Sequence, residues 1–424
     1  MPPAIYALAL GIFTQGTSEF MLSGLLPGLA DDLGVTISDA GLLISGFAIG
    51  MLIGAPLAAA ATLRLPHRTT LIAFQAVFIA GHVAGALAPD YGTLFVTRIV
   101  SAVVYAGYWG MAVVAALALV PPEIRGRAVA LVSSGLSLAT VIGVPAGTYL
   151  GQQASWRAAF WAVAACTVLS LIAVALAVPR GGGARGAADG AAKSATPGLR
   201  AELRALRRPR YWLALSITAL TFGTVIASFS YLAPILTENT GLPEAWVPAV
   251  LALFGLGALI GLHLGGRSAD RRPFPTLYLG LGAVVTVSAA LALLARHPAA
   301  VIVLVFLLGL SGFLTQPTIA SRVFVLAPGA PTLAGAFNTS AFNTGITVAP
   351  ALGGAAIAAG WGNTSAAWVG AALGLTALAA TGAAQAADRR AAVRKAGQGE
   401  AVPAGRRPEP REDRRCAMSG PPAN

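Results

Sequence analysis

Twelve apolar runs recur along this chain of 424 residues, each close to the roughly 20 residues a helix needs to cross a bilayer. They cover about 4–26, 41–63, 69–88, 91–119, 128–150 and 157–178, then 211–236, 246–266, 274–295, 299–327, 333–358 and 364–386. Lipid offers no water to backbone groups, so a spanning segment must be a helix or a strand of a closed barrel. These runs are continuous rather than alternating, which selects helices. Only 10% of the residues are charged and 56% are hydrophobic, against about a quarter charged in a soluble domain. The expected fold is therefore all-α and membrane-embedded, with twelve transmembrane helices.

The net charge of +12 would suit a polyanion partner if it were clustered on a soluble face, but it follows the spans instead. With the N-terminus inside, the loops after spans 2, 4, 6 and 8 and the tail hold 2, 2, 8, 3 and 9 Lys or Arg, so 24 of the 28 lie on one side. That is the positive-inside pattern of an even number of helices with both termini cytoplasmic. The basic excess orients the protein in a plasma (inner) membrane, and no nucleic-acid partner is expected. Residues 1–26 lack a basic leader region and a cleavage site, so they read as the first membrane helix rather than a signal peptide. Cys166 and Cys416 are the only cysteines; they have no metal-ligand spacing, Cys166 reads as a small packing residue, and neither metal nor cofactor is expected.

Residues 179–210 interrupt the apolar pattern with Gly, Ala, Pro and eight basic residues, the composition of a flexible linker with at most a short surface helix at 199–208. The expected organisation is a six-helix bundle at 1–178, the linker, a second six-helix bundle at 211–386 and a disordered tail at 387–424. The halves also resemble each other. Pro27, Asp31, Asp32 and Gly34 match Pro234, Glu238, Asn239 and Gly241 at an offset of 207. Repeats of this kind build secondary transporters, whose halves rock about a site near the bilayer midplane. The 50 glycines suit close helix–helix approach in lipid.

Of sixteen Asp and Glu residues, only Glu19 falls inside an expected apolar span. A carboxylate there costs roughly 2.5–3.5 kcal/mol on insertion scales and marks a functional site. At about 1.5 Å per residue, Glu19 on span 1, His82 on span 3 and Arg98 on span 4 lie at one level. Gln15, Glu19 and Ser23 share a helical face, as do Arg98, Ser101, Tyr105 and Tyr108, and Gln75 with His82. The functional reading makes Glu19, Arg98 and His82 a proton-coupling group, with Gln15, Ser23, Tyr105 and Tyr108 towards substrate. The rival reading is a static Glu19–Arg98 pair that only fixes packing. The offset of 207 places Ile226 and Val305 opposite Glu19 and Arg98, so the charges belong to the first half alone. The second half offers Phe222, Phe229, Tyr231, Gln316, Asn338, Phe342 and Asn343, chemistry suited to a neutral amphipathic ligand.

The stretch Gly135-LSLATVI-Gly143-Val-Pro145-Ala-Gly147 resembles the fifth-helix signature of the drug:proton antiporters of the major facilitator superfamily, and Arg98 in LFVTRIVSAVVYAG matches their fourth-helix arginine. The loop signature after span 2 is eroded to Ala59, Leu63, Arg64 and Pro66, while Gly266, Asp270 and Arg271 keep it after span 8. GTSEFMLSGLLPGLADDLGV (16–35), WRAAFW (156–161) and FNTSAFNTGI (337–346) are similar to chloramphenicol exporters of the arabinose-efflux-permease-like group. The resemblance implies a two-half major facilitator fold. It further implies proton-coupled export of chloramphenicol or a related small neutral antibiotic by a monomer whose partners are the bilayer, the drug and protons. Gly135, Gly143, Pro145, Gly147, Asp270 and Arg271 would then serve conformational change. An exporter of a sugar or another metabolite on the same fold is the alternative. A receptor lacks an output domain here, and an enzyme is not expected, because no nucleophile–base pair, phosphate loop or second embedded carboxylate is found.

Overall fold

The first helix is largely enclosed, although it carries the most polar stretch of any expected span. α1 (Pro3–Met21) starts on a proline suited to a first turn and buries Thr14, Gln15, Thr17, Ser18 and Glu19 among its neighbours. It tightens into a 3₁₀ turn at Leu22–Gly24 and continues as α2 (Leu26–Leu33). The computed structural model describes residues 1–62, 65–121, 124–179, 209–269, 273–327 and 331–397. Among these, eleven helices are long and apolar enough to cross a membrane. The expected span at about 4–26 is not one of them, because the run Thr14–Glu19 dilutes its hydropathy.

Apart from elements of five residues or fewer, the remaining helices among the described residues are α3 (Ile37–Thr62), α4 (His67–Ala86), α5 (Tyr91–Ala118), α6 (Arg125–Leu138), α7 (Val144–Gln153), α8 (Trp156–Ala177), α9 (Pro209–Ser230), α10 (Val247–Ala269), α11 (Pro273–Leu293), α12 (Pro298–Leu314), α13 (Gln316–Leu326), α14 (Pro331–Ala356) and α15 (Ser365–Gly397). The expected linker lies almost wholly outside the described residues, as do the expected surface helix at 199–208, Leu63, Arg64, Asp270, Arg271 and the chain beyond 397. Residues 387–397, expected to belong to a disordered tail, are instead helical, since α15 runs to Gly397. Met1–Ala384 form one compact unit, and Gln385 onward a second.

α6 and α7 are one membrane segment joined by a π-helical turn at Ala139–Gly143. Pro145 explains it. Proline donates no backbone hydrogen bond and its ring crowds the carbonyl four residues back, here Val141, so the helix widens by one residue over that carbonyl. α1 packs against α5, α6, α7 and α8, α3 against α5, α9 against α14, and α10 against α12. The most extensive contacts between the sequence halves are α3 with α14, and α10 with α7 and the π turn. The internal repeat reappears in the backbone. Gly34 (φ 63°) and Gly241 (φ 70°), 207 residues apart, both take the left-handed conformation that ends a helix and that a Cβ disfavours.

Loops are tied by local chemistry. Asp90 caps α5 by accepting from the Thr93 amide at 2.9 Å, and these hydrogen bonds hold its carboxyl below the usual value. Arg68 donates to the Ala175 carbonyl near the end of α8, where a cation is favoured. Cys166, expected as a packing residue, instead lies on the exposed face of α8.

Asp32 at the end of α2 accepts from Trp156 Nε1 at 2.9 Å and pairs with Arg157. Hydrogen bonds from Arg157 and then Trp156 hold its carboxyl below the ordinary 3.8. A depressed folded pKa means that the pair stabilises the protein above the ordinary value and stops doing so as pH falls through the depressed one. Both side chains are about a third or more exposed, which limits the contribution to under about 1 kcal/mol. Asp32→Asn should lower the melting temperature in detergent slightly at pH 7. The difference from wild type should close below pH 3.8, and a gap that widened in acid would contradict this account.

Candidate functional site

The polar stretch of α1 meets α4 and α5 in the interior. Arg98, 1% exposed, donates from Nη1 to Ser18 Oγ at 2.7 Å and from Nη2 to the Ser18 carbonyl at 3.0 Å. Its guanidinium lies 4.1 Å over the Phe47 ring, a favourable cation–π placement. Ser18 Oγ is also 2.6 Å from His82 Nε2, while His82 Nδ1 is 3.0 Å from the Phe78 carbonyl. A carbonyl only accepts, so Nδ1 carries the hydrogen. In the neutral ring Nε2 then accepts from the Ser18 hydroxyl, which accepts from Arg98. His82 is further clamped by stacking on Phe78, 4.1 Å between centroids. Arg98 is thus engaged by Ser18. The static Glu19–Arg98 ion pair of the rival reading is not formed.

Glu19 instead faces a cavity of about 200 Å³ lined by α1, α3, α5, α6, α13 and α14. Its carboxyl interacts with the Tyr105 hydroxyl and feels the Arg98 charge. Around it stand Met51, Ala55, Ala106, Trp109 and Leu136 from one side and Gln316, Asn338, Thr339, Phe342 and Asn343 from the other. Asn338 Oδ1 accepts from Thr218 at 3.2 Å. Asn343 Nδ2 donates to the Thr339 carbonyl at 3.0 Å, leaving its buried Oδ1 unpartnered. A recess of about 380 Å³ adjoins the cavity through the shared Trp109, Leu136, Gln316 and Phe342. It adds Phe20, Phe313, Ser137 and Thr140 and runs between α6 and α10. Together they make a mostly apolar chamber with amide hydrogen-bonding groups and a single carboxyl, the ordinary make-up of a small-molecule site.

Glu19, Tyr105, Gln316, Asn338, Phe342 and Asn343 are therefore brought together as the sequence suggests. Other candidates are placed elsewhere. Tyr108 approaches the Leu8 carbonyl at 3.4 Å and interacts with Gln75 and Ser170, which bond each other at 2.9 Å. Gln15 is wholly buried with both amide atoms unpartnered, and Ser23 is buried in the 3₁₀ turn. Phe222 stands behind Phe342, centroids 3.8 Å apart, and Phe229 stacks on Phe254 at 4.3 Å. Tyr231 donates to the Pro350 carbonyl at 2.8 Å and reaches Gly41 of α3, so it fastens α9, α14 and α3 together. Arg322 lies 4.3 Å over the Phe274 ring.

In the fifth-helix signature, Gly135 brings α6 onto the backbone of α1 at Ala9 and Phe13, and Gly143 abuts Thr17. Gly147 has ordinary clearance from Met21, 3.5 Å from where a Cβ would sit. Sequence reasoning passed over Ser18, although it lies in the polar run of α1, and Trp109, one turn beyond Tyr105. Met51 and Ala55, within the apolar run of α3, gave no signal at all.

The sequence profile of the Major Facilitator Superfamily matches residues 8–340. A chloramphenicol resistance protein of Streptomyces lividans is 41% identical over 368 residues, spanning 87% of this chain and 92% of that protein. The inner membrane transport protein YdhP of Escherichia coli K12 is 37% identical over 361 residues, spanning 84% and 90%. Among solved structures, an inward-facing, unoccupied bacterial homologue of the human lysosomal transporter Spinster superposes with a TM-score of 0.71 at 17% identity, covering 90% of this chain and 96% of that one. A D-xylose–proton symporter gives 0.69 at 18% identity, covering 89% and 96%. At such identities the structures speak for the fold alone.

Proposed function

Because this chain belongs to the major facilitator superfamily, as a multi-pass membrane transporter, we propose that it is a proton-coupled antiporter. Its cargo is chloramphenicol or a related small neutral antibiotic, which it exports by alternating access and so confers resistance. The observation that carries the reading is the chamber itself, where Glu19 is the one carboxyl among aromatic, aliphatic and amide side chains. Rings of a neutral drug find Trp109, Phe342 and Phe313, and its hydroxyl and amide groups find Gln316, Asn338 and Asn343. The unpartnered Oδ1 of Asn343 is an acceptor that a ligand hydroxyl or amide N–H would satisfy, and an unsatisfied buried acceptor is costly to keep. The likeness to the Streptomyces lividans resistance protein supports the drug class.

Exchange proceeds by competition for the chamber. Drug binding displaces the proton from Glu19, and reprotonation from the other side resets the carrier. The contacts of α3 with α14 and of α10 with α7 are the seams about which the halves rock, with both termini on the cytoplasmic side. Cells expressing the protein in a background without other efflux should accumulate less labelled chloramphenicol than control cells, and a protonophore should abolish the difference. Unchanged accumulation on expression would reject the drug. Lowered accumulation that resisted the protonophore would reject proton coupling.

A further inference from the structure

Arg98 and Glu19 are close enough for the charge of one to act on the other, yet both guanidinium hydrogen bonds go to Ser18, the residue preceding Glu19. Buried opposite charges normally meet, because each is costly without a partner. Ser18 Oγ is pinned from its far side by His82, itself fixed by the Phe78 carbonyl and ring, so its acceptor lone pairs are turned to Arg98. The Arg98 Nε–H is buried without a partner, a spare donor that an ion pair with Glu19 would use.

We propose that Ser18 is a positioning residue which, braced by His82, holds Arg98 off the Glu19 carboxyl and so keeps that carboxyl free to take up and release a proton through the cavity. The proposal rests on the proton-coupling role given to Glu19 above. The ionisable groups facing Glu19 are Arg98 and Tyr105 on α5, with His82 on α4 acting through Ser18. α3, α6, α13 and α14 contribute Met51, Ala55, Leu136, Gln316 and the amides of Asn338 and Asn343. Without the Ser18 hydroxyl, Arg98 Nη1 loses its acceptor, and the strongest acceptor in reach is the Glu19 carboxylate. The pair closes and the carboxyl no longer exchanges.

The test needs no drug. Protonated carboxyls in apolar surroundings add to dicyclohexylcarbodiimide, leaving a stable N-acylurea, and modification of the peptide containing Glu19 is read by mass spectrometry in purified protein, with Glu19→Gln as the blank. Wild type should react at Glu19, and Ser18→Ala should slow the reaction by about tenfold, the scale of one hydrogen bond to a charged group. Ser18→Thr should restore the rate, and so should Arg98→Ala placed on Ser18→Ala. If Ser18→Ala does not insert, Ser18→Cys, of similar size but a weak acceptor, should show an intermediate rate. Equal rates in wild type and Ser18→Ala (or Ser18→Cys) overturn the positioning role and leave Glu19 coupling standing. Slowing that Arg98→Ala does not relieve overturns it too, as simple distortion. A wild-type Glu19 that never reacts overturns both the inference and the coupling beneath it.

Discussion

Glu19→Gln is expected to abolish gradient-driven export while leaving the amount of folded protein in the membrane unchanged. The side chain lines the chamber, and Gln matches it in shape, so the fold loses no volume. Arg98 keeps both hydrogen bonds to Ser18, so no buried cation is orphaned. What disappears is the only carboxyl among the residues lining the chamber, and with it, on the mechanism proposed above, the means of carrying a proton across. Exchange of one proton for a neutral drug moves one charge, and about 100 mV is then worth about 2.3 kcal/mol, roughly a fiftyfold drug gradient. In proteoliposomes with an imposed potential and pH difference, the mutant should bring that gradient to unity. Drug-for-drug exchange should persist, since the amide and aromatic contacts remain. A mutant that still built the gradient would remove Glu19 from the coupling path.

The second large effect is structural. On α10, Gly257, Gly261 and Gly265 sit directly on the carbonyls of Phe306, Leu310 and Leu314 of α12, and Gly309 answers against Phe254. The two helices touch backbone to backbone, the mode of association that small residues permit in lipid. A Cβ at Gly261 would overlap the Leu310 carbonyl oxygen and lie within 2.9 Å of its carbon, and neither can give way without moving a helix. Gly261→Ala should cost about 1–3 kcal/mol, the scale of overpacking, and Gly261→Leu should prevent recovery of folded protein. Gly282, in the middle of α11, has nothing within 4 Å of its Cβ position, so Gly282→Ala is the matched control and should be neutral. Thermal unfolding followed by size-exclusion fluorescence would check both. Equal melting of the two alanine variants would disprove the backbone contact.

The residues predicted for the site divide by how far their signal reaches along the chain. Glu19 was legible because an acid in an apolar run is anomalous whatever surrounds it. Gln316, Asn338, Phe342 and Asn343 were legible as polar or aromatic interruptions, and the cavity gathers all four. Phe222, Phe229 and Tyr231 carry the same kind of signal but stand behind the lining or fasten helices together. Tyr108, three residues from Tyr105, turns to Gln75 and Ser170 instead of the chamber. Shared helical spacing says which residues lie on one side of a helix. It does not say which few tens of degrees of that side meet a cavity and which meet the neighbouring helix.

By itself the sequence determined the membrane class, the approximate positions of eleven of the twelve expected spans, the repeat that returns as left-handed Gly34 and Gly241, and the carboxyl inside the first apolar run. Each depends on composition or period within one segment, where the bilayer and the backbone impose the same rule everywhere. The tertiary structure alone decided that Arg98 binds Ser18 rather than Glu19 and that His82 braces that serine. It also decided that Met51, Ala55 and Trp109 complete the chamber. Those choices join residues 64 and 80 positions apart, and they depend on how each helix is rotated about its axis once its neighbours are packed, which no local pattern encodes.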